Sequence, residues 1–415
     1  MVTLSEAGHA ALARRVGKAQ RRGKAMGLLL VAPLLALLLV TFVFPIGLML
    51  YRSVDNPVIP AALPETVVAL RTWQAPGLPD EAVYAALARD LRYAQQAGMA
   101  GKLGGRLNYE QPGASTAISQ MVRKLNDPEV ATPPYKELFI ATNQMWGNER
   151  IWARIKQLSG PLTDANYLTA LDLDRAVDGA IVARPATQAV YVELFLRTLW
   201  VSAFVSVVCA VLAYPIAYQI ARQPPRLANV LLFLVLLPFW TSALVRTTAW
   251  IILLQRQGLV NDLLVWLGVL GDQQRILMVY NMTGTLIAMV HVLLPFMVLP
   301  IYSVMKSISP DYVQAARSLG GSPMNAWWRV YFPLTLPGLG AGGLLVFISA
   351  IGYYITPALV GGRDGRLISN FIAYHMQESL NWGLAAALGT VLLAAVLLLY
   401  FIYDRVIGLN NLRFG

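Results

Sequence analysis

Side chains that make or break covalent bonds are scarce in this sequence. It has 415 residues but only three histidines and one cysteine, Cys209, which falls inside an apolar run. A single thiol closes no disulfide within one chain, and no metal-ligand spacing surrounds it. No G-x-x-x-x-G-K-[ST] phosphate loop occurs anywhere, so the sequence offers no ATP-hydrolysing site of its own. Segment 52–190 has no histidine and no plausible pairing of nucleophile with base. No catalytic residue and no metal are therefore expected.

What the apolar stretches do carry is recognition chemistry. Trp240, Arg246 and Trp250 fall in one of them, Tyr353 and Tyr354 in another. Aromatic faces attract cations, typically by about 0.5–2 kcal/mol. Arg246 has two readings. Its head snorkels to the outer interface, or it lines a wet pathway, since ionisable groups at membrane depth tend to face cavities. His291 stands alone and reads first as a packing residue.

The elements that must position these residues are membrane helices. The chain is 57% hydrophobic and only 13% charged, where soluble proteins carry about 25% charged residues. A net charge of +11 could suggest nucleic acid, but basic and acidic residues balance from Arg52 to Val190. The excess lies in the membrane part and its flanks, so the expected partner is the lipid membrane and no nucleic acid is called for. The basic tail 1–25 precedes an apolar run, 26–51, too long for the h-region of a cleaved signal and read as a retained helix. Five further runs, 192–221, 227–254, 283–305, 338–359 and 384–403, reach the roughly 20 residues a bilayer requires. The third of these six would be about 42 Å long as one helix, against a core of about 30 Å, so a bend is expected at Pro238. Pro295 and Pro300 suggest a broken helix in the fourth span. Gly338 and Gly342 allow close helix approach in the fifth.

Loop charges set the orientation. Arg222, Arg226, Lys306, Arg317, Arg329, Arg405 and Arg413 lie with the basic tail on one side, against only Glu6, Asp311 and Asp404. Arg256, Arg275, Arg363 and Arg366 on the other side are nearly offset by Asp262, Asp272, Asp364 and Glu378. The positive-inside rule puts both termini, including the short tail 408–415, and the loop 306–337 in the cytoplasm. Residues 52–190 then form an extracytoplasmic insert, large enough for a domain and mostly helical by its apolar spacing. It is either a structural cap or a docking aid for another protein.

The loop 306–337 is a polar island with full helix punctuation. Ser309-Pro310-Asp311 is a helix start, and Gly320-Gly321 is the flexible stop a helix C-terminus prefers. Ser322-Pro323 repeats the start signal, and Pro333 is expected to close the second helix. Gln314, Ala315 and Ala316 put small side chains where another backbone can approach, beside Tyr312 and Leu319. Helices this short are marginal alone, so something must pack on them.

The order Gln314-Ala315-Ala316, Gly320, Val330, Phe332-Pro333 resembles the EAA loop of ATP-binding-cassette importer permeases. Gln314 stands where that family usually has glutamate, and Val330 and Phe332 replace isoleucine and leucine. The resemblance implies that Asp311, Gln314, Ala315, Ala316, Gly320, Val330 and Pro333 belong to a coupling loop that docks on a cytoplasmic ATPase. The runs Leu237–Trp250, Gly258–Asn261, Leu293–Pro300 and Pro357–Gly362 look like the spermidine/putrescine class. The likeness covers about 192–407 and the first span, but not 52–190, which the typical member lacks.

The resemblance further implies an all-α polytopic membrane protein of the bacterial inner membrane, with six transmembrane helices in the type I ABC importer permease fold. The permease core would be 191–407. Implied partners are an ATP-binding-cassette ATPase dimer that binds the ATP, a second permease subunit, identical or different, and an extracytoplasmic substrate-binding protein. The implied cargo is a small cation, a polyamine, with opines, amino-acid-like compounds and other small solutes as alternatives. Trp240, Arg246, Trp250, Tyr353 and Tyr354 are the candidate pathway residues. Two other classes compete. An ion-coupled carrier would place acids or histidines at mid-membrane, whereas the acids here sit at loops. A membrane-anchored sensor or scaffold would not need the punctuation of 306–337.

Overall fold

Inside a bilayer every backbone N–H and C=O must find a partner within the protein, so long apolar runs become helices. The computed structural model describes residues 24, 26–127 and 133–407; the tails 1–25 (Lys24 apart) and 408–415 lie outside the described residues. Among the described residues, five helices are long and apolar enough to cross a membrane: Met26–Val54, Tyr191–Arg222, Met282–Ser307, Pro323–Ile351 and Trp382–Arg405. A sixth crossing is broken, its halves Pro225–Trp240 and Ala243–Trp266 meeting at 95°. We number the spans one to six in chain order, with the broken pair third.

The break follows from the sequence around Pro238. Lacking an N–H, it cannot continue the α ladder, and the backbone tightens into a 3-10 turn over Leu237–Trp240 before restarting at Ala243. In the fourth span proline acts differently. Pro295 and Pro300, read from sequence as marks of a broken helix, lie inside the single helix Met282–Ser307. Pro295 is buried and the Pro300 carbonyl faces the fifth span, so neighbouring helices hold the strand of backbone that proline weakens.

The fifth span also departs from expectation. Pro333 does not close the helix begun at Pro323. A π-turn over Trp327–Tyr331 carries the Phe332 N–H to the Trp327 carbonyl, and Pro333 follows in the segment Phe332–Ile351, the wider turn before it accommodating the ring without ending the helix. The span therefore starts well before 338 and ends at Ile351, with Ile355–Val360 a separate short helix.

Spans two, four and five form the membrane core. Val201, Val205, Cys209, Ala213 and Ala217 recur every four residues on one face of the second span and are fully buried against Met289, Leu293, Met297 and Ile301. Lipid gives apolar helices no reason to desolvate, so close packing must hold them together. The fifth span achieves it with glycine. A Cβ on Gly338 would stand 2.8 Å from the Pro300 carbonyl oxygen, and one on Gly342 would stand 2.8 Å from the Met297 sulfur.

The insert has two parts of different kind. Its body is a helical domain with its own core, in which Tyr84, Phe139, Trp146 and Trp152 stack edge-to-face and tilted at centroid distances of 4.6–5.8 Å. The chain enters and leaves this body through a narrow neck. Asn56 donates from its amide to the Leu158 and Gly160 carbonyls at 2.7 and 2.9 Å, and Asp55 bridges Leu162. The remainder, from the neck to 190, belongs to the membrane part. Ala170 and Tyr167 pack with Tyr191, Leu194, Ile368 and Leu388 of spans two and six and the helix Ile368–Gln377 between the last two spans. A two-stranded hairpin, Leu173–Arg175 with Ile181–Ala183, completes this collar.

Candidate coupling and translocation sites

The elbow 306–337 is built from local signals. Ser309 Oγ accepts the Asp311 N–H at 3.2 Å and donates to the Asp311 carboxylate at 2.8 Å, fixing the start of the helix Asp311–Ser318. That helix ends in a Schellman motif: the Gly320 N–H reaches the Arg317 carbonyl at 3.0 Å and the Gly321 N–H reaches the Ala316 carbonyl at 3.1 Å. Gly320 has φ +90°, a conformation L side chains rarely adopt. Ser322 Oγ then accepts the Asn325 N–H at 3.3 Å and opens the next helix.

The elbow presents its apolar groups outward. Leu319 is 89% exposed, Met324 70%, Trp328 59% and Tyr312 57%, with Gln314 and Ala315 exposed between them. Ala316 and Val330 are half-buried, and Pro333 is exposed. These four large side chains stand out from the helix Asp311–Ser318, its glycine stop and the first turns of the fifth span, Trp328 stacked on Phe332 at 5.0 Å, and exposed apolar groups of this kind mark an interaction site.

The pathway candidates divide. Trp250 Nε1 donates to His291 Nδ1 at 3.1 Å, joining the third and fourth spans. Arg246 lies one turn away on the same helix. Its Nη2 donates to the Thr241 carbonyl at 3.2 Å, while Nε and Nη1 are buried with no hydrogen-bond partner among the described residues. Thr247 meets Thr356 at 3.3 Å across the same region. The other three candidates stand elsewhere. Trp240 is 78% exposed and tilts on Phe233; Tyr353 packs into the membrane core; Tyr354 faces outward at 41%. Both tyrosines lie in the break after Ile351, where their carbonyls accept from Ser369 Oγ at 2.9 Å and Asn370 Nδ2 at 2.7 Å.

His291 is thus a satisfied side chain, but one that orients Trp250. Sequence reading did not find that pairing, because the two residues lie 41 positions apart with no motif to join them. It also missed Asp172, whose carboxylate accepts the N–H groups of Val190, Tyr191 and Val192 at 3.0, 3.0 and 2.7 Å and caps the second span. Among the described residues no group of three or more His, Cys, Asp or Glu could hold a metal ion.

Residues 207–413, which hold the elbow and all five pathway candidates, match the family described as binding-protein-dependent transport system inner membrane component. The spermidine/putrescine transport system permease protein PotB of Salmonella typhimurium is 36% identical over 221 residues, which is 53% of this chain and 76% of that protein. PotB of Escherichia coli K12 is 35% identical, with 80% of its length covered. This chain belongs to that permease family. It is accordingly a multi-pass inner-membrane protein, mostly helical, with the type I permease fold, and the transport subunit of an ABC importer. The body of the insert lies outside the residues the family description covers. A solved bacterial alginate ABC transporter is also similar, at 15% identity and a TM-score of 0.45, over 52% of this chain and 77% of that one.

Proposed function

We propose that this permease passes a small cationic solute, a polyamine such as spermidine or putrescine, from an extracytoplasmic binding protein to the cytoplasm. The reading is carried by 36% identity to spermidine/putrescine permeases over three quarters of their length. ATP is hydrolysed by a separate ATPase dimer, and the exposed elbow surface of Tyr312, Leu319, Met324 and Trp328 is what that partner covers. Asp311, Gln314, Ala315, Ala316, Gly320, Val330 and Pro333 set its shape. A second permease subunit completes the pathway. Both termini and the elbow are cytoplasmic by the excess of lysine and arginine on that side.

In this mechanism closure of the ATPase dimer pushes the elbow. Because Pro323–Ile351 has no gap between elbow and membrane, the push passes directly into the fifth span. That span is locked to the fourth at Gly338 and Gly342, so the two move together. The broken third span carries Trp250 against the fourth at His291, which supports a pathway beside the moving pair. An aromatic face without carboxylates binds a cation weakly, which suits a permease fed by a separate binding protein.

A second reading has one observation in its favour. The two unpartnered donors of Arg246 would suit a carboxylate, as in an opine or amino-acid-like solute. One experiment separates the two: ATP hydrolysis by the assembled complex with its binding protein, measured with putrescine, spermidine and a panel of neutral and carboxylated solutes. Stimulation by polyamines is the expected result. Stimulation by a carboxylated solute where polyamines have no effect would overturn the substrate and leave the importer standing.

A further inference from the structure

A groove of about 660 Å³ lies between the elbow helix and the adjoining ends of spans two and four. Its walls are the aromatic rings of Tyr218, Trp327 and Tyr331 and the two guanidinium-bearing side chains Arg222 and Arg317. None of the described residues that line it is acidic. Arg222 is held in place: its guanidinium carbon sits 3.9 Å from the centre of the Tyr218 ring, and Tyr218 is itself fixed edge-on against Tyr331 at 5.5 Å.

A second groove, of about 530 Å³, opens on the adjoining face of the second span and is almost wholly apolar, lined by Pro215, Ile216, Ile220, Leu231, Leu234 and Val235, with Gln219 as its polar member. Residues three and four apart are neighbours on a helix. Arg222 follows Tyr218 by four and Gln219 by three, so it stands on the rim shared by the two grooves. A basic, aromatic-walled recess thus meets an apolar trough at the end of a membrane helix. The pair has the division of an amphiphile, with a charged head and a hydrocarbon tail.

We infer that this is a binding site for an anionic phospholipid, the phosphate lying between Arg222 and Arg317 and an acyl chain lying along Pro215, Ile220 and Leu234. Arginine suits the role because its planar fork matches phosphate oxygens and stacks on rings at the same time. Basic pockets between membrane helices on the cytoplasmic side are a recurrent form of lipid headgroup recognition. A free anion would use the first groove and have no need of the second. The consequence is functional. The lipid would bridge the second span to the elbow, the element that the proposed ATPase contact moves, and so tie coupling to membrane composition. That consequence rests on the cytoplasmic, coupling reading of the elbow; lipid binding itself does not.

The test is native mass spectrometry of the purified full chain titrated with 1-palmitoyl-2-oleoyl phosphatidylglycerol or with the matching phosphatidylcholine. Two arginine contacts should give the anionic lipid a preference of roughly thirtyfold, and Arg222→Ala/Arg317→Ala should erase it. Arg222→Lys/Arg317→Lys should retain part of it, which separates loss of charge from loss of fold. Arg363→Ala, a charge removed from a loop outside the groove, should leave it unchanged. Inorganic phosphate at equal concentration should not displace the lipid. Equal binding of the two lipids, displacement by phosphate, or the same loss from Arg363→Ala would overturn the site. The side on which it lies is read separately, by labelling Arg317→Cys with an impermeant maleimide in sealed vesicles; Cys209 is fully buried and gives no background.

Discussion

Gly320 has nothing within 4 Å of where a Cβ would stand, so space does not select glycine there; its φ of +90° does. A β-branched residue at that angle is strained by about 1–2 kcal/mol, enough to displace a helix end held by two capping hydrogen bonds. Gly320→Val is expected to insert and express normally but to lose substrate-stimulated ATP hydrolysis, while Gly320→Asn, which tolerates positive φ, keeps most of it. Wild-type stimulation in the valine variant would show that the elbow is not the coupling element. Asp172 carries a different burden. Its carboxylate satisfies three N–H groups at the head of the second span, so Asp172→Ala should cost about 1–2 kcal/mol, read as a lower Tm of the detergent-solubilised chain.

His375, in the helix before the sixth span, gives a pH dependence. It lies between the Tyr191 hydroxyl at 2.9 Å and the Ser379 hydroxyl at 2.8 Å, with Tyr374 beside it, and burial holds its pKa below the ordinary imidazole value. The unfolded chain then takes up the proton more readily than the folded one. Stability from this site is full above the unfolded value of about 6.5 and is lost as pH falls below it. Thermal unfolding should therefore come earlier at pH 5 than at pH 7. In His375→Gln that pH-dependent drop should shrink; an unchanged drop would assign it to other groups.

At the scale of elements, the insert supplies the sharpest prediction. Its body folds around its own core and is joined through a neck where Asn56 bonds Leu158 and Gly160, so the two crossing points are already adjacent. Replacing 57–158 with a short Gly/Ser linker should leave the spans intact and the chain in the membrane. Extending the excision to 185 should not be tolerated. It removes Asp172 from the second span, Asn166 from the Ser53 carbonyl at 2.9 Å and Tyr167 from its hydroxyl pair with Ser53 at 2.7 Å. Equal recovery of both deletions from the membrane fraction would contradict this division.

The same element shows where sequence stops being informative. The elbow was legible because its signals are local: serine, proline and glycine act within three or four residues of themselves. The apolar spans were legible because length and hydropathy are properties of a run. The division of the insert was hidden, since Asp172 finds its partners 18 to 20 positions on and Ser53 meets Tyr167 across 114. Proline was ambiguous for a related reason. Pro238 breaks a span with an exposed face, whereas Pro295 is held straight by the helices around it, and the sequence writes both the same way.

At the scale of the whole molecule, the collar at Tyr191 and the elbow groove at Arg222 lie at opposite ends of the second span. An ATP-driven permease differs from a carrier or a sensor in needing ATP on one side and a delivering protein on the other. The decisive measurement is uptake of radiolabelled putrescine into proteoliposomes holding this chain with its ATPase, its partner permease and its binding protein. Uptake should require internal ATP and the binding protein together, and should fall to background with Gly320→Val in the elbow. Uptake that proceeds without ATP, driven by an ion gradient through this chain alone, would contradict the account.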